Sequence, residues 1–121
     1  MQANKADGDA AESLAAAYLV RQGLRILTRN WRVRGGEIDL VCTDGGSLVF
    51  VEVRLRTNAN FGGAGESITL AKQRRLILAA RHYLLVHGTP APDGPCRFDA
   101  VLLDKLDDAG VEWIRNAFSA D

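Results

Sequence analysis

The sequence has few of the residues that mark specialised protein classes. Its 121 residues include 2 cysteines, 3 prolines and 1 methionine, and basic and acidic side chains are equal in number, 15 against 15. So little cysteine excludes a disulfide-rich secreted fold, and Cys42 and Cys96 are too far apart in sequence to form a CxxC pair. We expect both thiols to be buried and reduced.

Long apolar runs are also missing. No stretch reaches the roughly 18 residues that cross a bilayer, and the first residues lack the basic-then-apolar pattern of a signal peptide. We therefore expect a cytoplasmic protein with no membrane partner. A composition of 47% hydrophobic and 25% charged residues excludes collagen-like, coiled-coil and disordered classes. A chain of this length can bury one sufficient core, so residues 1–121 are predicted to form a single domain.

The net charge of zero hides a segregation of charge along the chain. Residues 21–81 carry eleven basic against five acidic side chains, whereas residues 1–20 and 82–121 are both acidic. Twelve of the fifteen cations are arginines, which form bidentate contacts with phosphate. The basic middle of the chain is therefore either a nucleic-acid-binding face or an ordinary solvated surface.

Hydrophobic periodicity predicts two helices and five strands in the order αβββαββ. The first helix is expected to begin at a cap on Asp9 and end at Gly23, and the second to begin at a cap on Thr69. This order indicates one α/β domain, with a mixed central sheet of about five strands flanked by helices. The predicted helices span 9–22 and 69–86, and the predicted strands span 24–28, 37–43, 47–54, 96–103 and 111–115.

Two carboxylates lie close together on the second predicted strand. Glu37 and Asp39 are two residues apart and are expected on one face of the strand, with Ile38 and Leu40 on the other. Charged side chains so near the middle of a sheet require an explanation, because burying a carboxylate without a partner is costly.

A predicted hairpin brings a second set of charges to the first. Glu52 and Arg54 share a face of the third strand, and a two- or four-residue turn around Gly45-Gly46 places Asp39 opposite Glu52. The same turn places Glu37 opposite Arg54. A three-residue loop would instead send Asp39 and Glu52 to opposite faces.

Asp39 and Glu52 in that first register would repel each other unless a cation lay between them. A hard divalent ion such as Mg²⁺ or Mn²⁺ meets this need, since one or two carboxylates usually hold Mg²⁺ together with water and substrate phosphate. The alternative is a surface ladder in which Glu37 pairs with Arg54 and the other two carboxylates face water or arginine. The position of Glu52 between valines, with Phe50 on its own face, favours the metal interpretation.

Motifs along nearly the whole chain then make the sequence recognisable. They are Gly8, Glu12, Ala15 and Tyr18-Leu19, Gly23-Leu24-Arg25-Ile26-Leu27, Arg29-Asn30, Gly36-Glu37-Ile38-Asp39-Leu40, Val49-Phe50-Val51-Glu52-Val53-Arg54 with Arg56, Phe61-Gly62-Gly63, Lys72-Gln73, Cys96-Arg97-Phe98-Asp99 and Asn116-Ala117-Phe118. Through these motifs the chain closely resembles the YraN family of small bacterial proteins.

That family resembles the restriction-endonuclease-like fold and is similar to archaeal Holliday-junction resolvases with a PD-(D/E)XK metal site. The resemblance implies that Asp39 and Glu52 ligate Mg²⁺ or Mn²⁺, that Glu12 approaches from the first helix, and that Arg54 occupies the position of the usual lysine. It implies one endonuclease-like, nucleic-acid-binding domain that hydrolyses phosphodiesters in DNA, with branched and single-stranded DNA among the candidate substrates. Resolvase-like relatives act as dimers, so a homodimer is a further implication.

Arg54 is the main departure from that pattern. A lysine there would orient the attacking water, whereas arginine stays protonated and is a poor general base. Three interpretations therefore stay open: a nuclease, a nucleic-acid-binding module that keeps the fold without cutting, and a protein-interaction subunit. The candidate nucleic-acid-binding residues are Arg56, Lys72 and Arg75, with plain solvation as the alternative for each. We expect both tryptophans, Trp31 and Trp113, to pack in the core or at an edge rather than stack on bases.

Overall fold

The predicted αβββαββ order is confirmed by a computed structural model that describes residues 5–55, 68–88, 94–104, 106 and 110–120. Three β-strands separate the two α-helices, and two further strands follow the second helix. The elements are α1 (Lys5–Arg21), β1 (Arg25–Val33), β2 (Gly36–Asp44), β3 (Ser47–Leu55), α2 (Leu70–His87), β4 (Cys96–Leu103) and β5 (Val111–Phe118).

The five strands form one mixed sheet in the sequential order β1-β2-β3-β4-β5. Only β3 and β4 run parallel, and the other neighbouring pairs are antiparallel. A parallel pair needs a crossover connection, and α2 lies in the connection between β3 and β4. The centre of the sheet is thus β3, the strand that carries Glu52.

Each face of the sheet is covered by one helix. On one face, Ala15 and Leu19 of α1 pack with Val49 and Val51 of β3. On the other face, Leu76 and the residues around it in α2 pack in a cluster that includes Phe50 of β3. Alternating side chains of β3 therefore enter two separate cores, as expected for a central strand.

The helix ends follow the sequence signals with one exception. The hydroxyl oxygen of Thr69 accepts a hydrogen bond from the backbone N–H of Lys72 at 3.2 Å, which confirms the predicted cap of α2. After α1, Gly23 has φ of 100° and the backbone N–H of Leu24 returns to the carbonyl of Leu19. The predicted cap at Asp9 is wrong, because the helix begins four residues earlier, at Lys5.

Gly36 allows β2 to start directly against α2. A β-carbon built at this position would collide with the carbonyl oxygen of Arg75 and would contact the backbone of Ala79. A residue without a side chain therefore permits the close approach of strand and helix. The first residues of β2, and with them Glu37, are held close to the middle of α2.

The outer strands are longer than the sequence predicts. β1 continues beyond Thr28 to Val33, and β5 continues to Phe118. Both are edge strands of the sheet, so their polar residues face solvent and do not show the apolar pattern of a buried strand.

The predictions for the cysteines and tryptophans are confirmed only in part. Cys42 is buried as expected, but Cys96 is exposed, because β4 begins there at the rim of the sheet. Both tryptophans pack as predicted, and the Trp31 indole N–H donates to the carbonyl of Ala79 at 3.2 Å.

Within the described ranges, no helix is long and apolar enough to cross a membrane.

Candidate active site

The predicted site residues come from four elements of the fold. Glu12 lies on α1, Asp39 on β2, Glu52 on β3 and Lys72 in the first turn of α2. The charges of Glu52, Glu12 and Lys72 all act on the carboxyl of Asp39. The fold thus places Glu12 and Glu52 near enough to Asp39 for their charges to act on it, and it adds a lysine from the second helix.

The β2–β3 hairpin has the register that the sequence predicts. The turn is the two-residue loop, and the pairing runs without a shift as far as Leu40 with Val51. The ladder ends there, and the backbone N–H of Val53 donates to Oδ2 of Asp39 at 2.8 Å. A side-chain oxygen therefore takes the place of a backbone acceptor where the strands separate.

Glu37 does not have the partner that the register predicts. The ladder stops before Glu37 and Arg54, so the two residues are not paired. The carboxylate of Glu37 instead lies 3.8 Å from Arg32 and 3.9 Å from Arg75. The side chains of Arg32, Glu37 and Arg75 are each about half exposed or more, so solvent screens both ion pairs and they contribute little to stability.

Asp39 lies at a break in the side-chain alternation of β2. Ile38 packs in the α2-facing core and Leu40 in the α1-facing core, so the prediction that they share a face is wrong. On β1, Asn30 lies between the residues that pair with Leu40 and Ile38, and its φ is 55°. Asparagine tolerates this left-handed conformation better than most residues. Both strands depart from regular geometry at the level of the Asp39 carboxylate.

The environment of Asp39 favours its protonated form. Burial raises the pKa of its carboxyl to about 7, and the negative charge of Glu52 adds to the rise. The hydrogen bond from Val53 and the charge of Lys72 act in the opposite direction without cancelling it. Near neutral pH, a cation beside this group would therefore relieve both the like-charge repulsion and the desolvation of the anion.

Glu12 is held in place by β1. Its Oε1 accepts a hydrogen bond from Nδ2 of Asn30 at 2.9 Å and lies 3.5 Å from Nε of Arg29. Burial raises the pKa of the Glu12 carboxyl, and the charge of Arg29 opposes the rise. Asn30 thus has both a left-handed backbone conformation and a side-chain amide that holds the Glu12 carboxylate in place.

Lys72 forms the shortest ion pair of the site. Its Nζ lies 2.7 Å from Oε1 of Glu52, whose side chain is only 7% exposed. The lysine reaches this carboxylate from the α2 face of the sheet, whereas Glu12 approaches on the α1 face. A residue predicted to contact nucleic acid therefore also neutralises a predicted metal ligand.

The remaining predicted cations differ in placement. Arg54 is half-buried on β3 and has no ion pair or hydrogen bond with another described residue. Arg75 is exposed on α2 beside Glu37. Arg56 lies outside the described residues.

A cleft of about 200 Å³ opens beside Asp39 on the α1 side of the sheet. A cleft of this size holds several water molecules, so a hydrated ion can enter it. Its walls combine acidic, basic and small residues, namely Lys5, Gly8, Asp9, Glu12, Asn30, Arg32, Asp39 and Val53.

The donor set at the cleft determines which kind of metal site fits. Among the described residues, no three histidine, cysteine, aspartate or glutamate side chains are close enough together to hold a metal ion. Asp39 and Glu52 are the two hard oxygen donors of the predicted site. Glu52 is not part of the cleft lining and is paired with Lys72, so an ion shared by the two carboxylates would have to displace that lysine. Two carboxylates with water and phosphate are a usual donor set for Mg²⁺. The residues therefore fit an open two-carboxylate site and do not fit a closed three-ligand site.

Sequence reasoning missed two contributions to this site. Asn30 appears in the sequence only as part of a matched motif, and the preference of asparagine for positive φ is the one signal that marks it. The contact of Lys72 with Glu52 depends on how α2 packs on the sheet, which no local pattern shows.

Comparison with known proteins shows close relatives along nearly the full length of the chain. Residues 11–103 match the model of a family described as Uncharacterised protein family UPF0102. The chain is similar to a UPF0102 protein of Methylobacillus flagellatus, with 57% identity over 93% of this chain and 96% of the relative. It is also similar to UPF0102 proteins of Dechloromonas aromatica (58% identity; 96% and 91% of the two chains) and Pseudomonas putida (52%; 92% and 91%). These matches confirm the resemblance to the YraN family: the chain belongs to the uncharacterised protein family UPF0102.

Proposed function

We propose that this chain binds DNA and hydrolyses its phosphodiester bonds at a metal-dependent, endonuclease-like site formed by Glu12, Asp39, Glu52 and Arg54. The observation that carries the proposal is the Asp39 carboxyl beside a cleft, where burial and the negative charges of Glu52 and Glu12 raise its pKa to about 7. A carboxylate this poorly compensated is typical of a site that binds a cation. The order of elements and the hairpin that carries Asp39 and Glu52 also support a restriction-endonuclease-like relationship.

Asp39 and Glu52 would hold Mg²⁺ or Mn²⁺. The negative charge of Glu12, on the α1 side of the sheet, would further stabilise the bound cation. The bound ion would supply a Lewis acid and lower the pKa of a bound water. In the reaction a water oxygen bonds to phosphorus, the bond from phosphorus to the leaving ester oxygen breaks, and that oxygen gains a proton. Arg54 stays protonated, so it stabilises negative charge on the phosphate and takes no proton from the water.

The basic residues around the site would hold the DNA backbone. Lys5 and Arg32 line the cleft beside Asp39, and Arg75 lies exposed on α2 beside Glu37. The excess of eleven basic over five acidic residues in 21–81 is consistent with this partner. Arg56 and Lys72 complete the proposed binding set, and a cytoplasmic location and a homodimer remain part of the proposal.

Cleavage assays with matched variants test this function. The wild-type chain is expected to cut single-stranded, flapped or branched DNA when Mg²⁺ or Mn²⁺ is present. Asp39→Asn and Glu52→Gln are expected to lose cutting and to bind the ion more weakly, while Glu37→Gln serves as a nearby control that keeps both properties. Absence of cutting on all three substrates, together with equal ion binding in the wild type and Asp39→Asn, would overturn the proposal.

A second candidate is a DNA-binding module that keeps this fold without cutting. Arg54 in the lysine position favours it, and so does the pair between Lys72 and Glu52, which already neutralises one proposed ligand. Such a module would bind DNA in a salt-dependent manner that ignores divalent ions and Glu52→Gln. Cleavage that appears or increases in Arg54→Lys would instead support the nuclease.

A further inference from the structure

Lys72 is well placed to respond to whatever binds Glu52. It stands in the first turn of α2, just after the Thr69 cap, and its Nζ contacts Glu52 Oε1 at 2.7 Å. The two side chains differ in exposure, because Lys72 is 40% exposed and Glu52 is 7% exposed. The ammonium thus lies at the boundary between a buried carboxylate and solvent.

The positive charge that pairs with Glu52 comes from α2, although Arg54 lies only two residues away on the same strand as Glu52. Arg54 makes no ion pair with any described residue, whereas Lys72 reaches Glu52 from 20 positions away. A lysine carries a compact charge on a flexible four-carbon chain, so it can change partners by rotating that chain. An arginine fixed on β3 has less freedom to do so.

A divalent ion at Asp39 and Glu52 would compete with this ammonium for the same carboxylate oxygen. Two cations cannot both lie within bonding distance of Glu52 Oε1 without repelling each other. Asp39 has no comparable ion pair among the described side chains. The ion pair lost when the divalent ion binds is therefore that between Lys72 and Glu52. The displaced ammonium would remain near the ion, where substrate phosphate would supply new negative charge.

We propose that Lys72 is an internal counter-ion, which holds Glu52 in the metal-free chain and transfers to a phosphate oxygen of the DNA when the ion binds. This inference rests on the proposed function and assigns Lys72 two states within the same site. It predicts opposite effects of removing the lysine: the ion binds more tightly, and the substrate is cut more slowly. A lysine with a merely structural role would weaken both properties.

Titration of the DNA-free chain with Mn²⁺, followed by calorimetry, tests the first effect. Lys72→Met is expected to bind Mn²⁺ roughly three- to fivefold more tightly than the wild type, because one partly exposed ion pair no longer competes. Lys72→Arg keeps the charge and should stay within about twofold of the wild type. Arg74→Met removes one exposed positive charge from the same helical turn, so it controls for the general effect of charge.

Cleavage at saturating Mn²⁺ tests the second effect. Lys72→Met is expected to cut DNA roughly 100-fold more slowly, as expected when one stabiliser of negative charge is lost. Circular dichroism and thermal unfolding show whether each variant is folded, and Lys72→Arg provides a second folded variant for the comparison.

The outcomes separate this inference from the function on which it rests. Failure of the wild type and all variants to bind Mn²⁺ would overturn both. Binding by the wild type with equal or weaker binding by Lys72→Met would overturn only the counter-ion. Tighter binding by Arg74→Met to the same degree would also overturn it, because the effect would then belong to overall charge.

Discussion

Two aspartates of this sheet lie in similar backbone settings and have opposite surroundings. Asp39 is on β2 and Asp99 is on β4, and each lies beside an edge strand that contains an asparagine with positive φ. Asn30 has φ of 55° and Asn116 has φ of 53°. The carboxylates differ in what they contact, and that difference separates a structural charge from a candidate functional one.

Asp99 is fully buried and fully engaged. Its oxygens accept hydrogen bonds from Nε of Arg97 at 3.0 Å, from the indole N–H of Trp113 at 2.9 Å and from the backbone N–H of Asn116 at 2.9 Å. Arg97 also donates to Asp44 at 2.8 Å, which joins β4 to the end of β2. A buried carboxylate with this many donors stabilises the sheet and has no remaining capacity for a ligand.

Asp39 is less buried and less satisfied. It accepts one hydrogen bond from a described residue, the backbone N–H of Val53, and it lies near the charges of Glu52 and Glu12. A cleft opens beside it, whereas Asp99 is enclosed. Burial of an acid is thus a poor guide to function in this fold, and incomplete compensation of its charge is a better one.

The largest expected effect tests the structural half of this comparison. Asp99→Ala would leave Arg97 and the indole of Trp113 without their buried acceptor, so the free energy of unfolding should fall by about 3–5 kcal/mol. Urea denaturation monitored by tryptophan fluorescence measures the change. Glu37→Ala removes an exposed carboxylate and should cost less than about 1 kcal/mol. A loss in Asp99→Ala as small as that control would show that the network contributes little.

The sequence predicts the Asp39 side of this contrast in part, and the limits of the prediction are physical. Turn chemistry is local, so it correctly gives the hairpin register as far as Leu40 and Val51. Regular alternation fails at Asp39, where Ile38 and Leu40 enter different cores. The kink at Asn30 and the contact of Lys72 arise from packing between distant elements, which local patterns do not encode. Asp99 illustrates the same limit, because its partners Trp113 and Asn116 come from a strand that the sequence predicts only in part.

The next effect concerns the pH dependence of stability in the metal-free chain. The pKa of Asp39 is about 7 in the folded chain, against an ordinary value of 3.8, so the folded state binds more protons between these values. Stability should therefore fall as pH rises from about 4 to about 7 and level off above. Asp39→Asn removes this contribution, and the variant should be more stable than the wild type by about 2–4 kcal/mol at pH 8.

Urea denaturation of both proteins at pH 5, 6, 7 and 8 measures this difference. The two stabilities should approach each other at pH 5 and separate toward pH 8. Burial also raises the pKa of Glu12, so ionisation of Glu12 likewise lowers stability as pH rises. The stability of Asp39→Asn should therefore still fall with pH, but less steeply than that of the wild type. A difference that stays constant across this range would show that Asp39 is as well compensated as Asp99.

The smallest effect distinguishes the two asparagines. Glycine adopts positive φ without strain, so Asn30→Gly and Asn116→Gly relieve the same backbone cost at nearly equal angles. Asn116 supplies Asp99 with a backbone N–H, which glycine keeps, whereas Asn30 supplies Glu12 with a side-chain amide, which glycine lacks. Asn30→Gly should therefore be less stable than Asn116→Gly by about 1 kcal/mol, the usual contribution of one hydrogen bond. Equal stabilities in urea denaturation would mean that the amide of Asn30 does not hold Glu12, and that Arg29 alone, at 3.5 Å, positions this carboxylate beside the cleft.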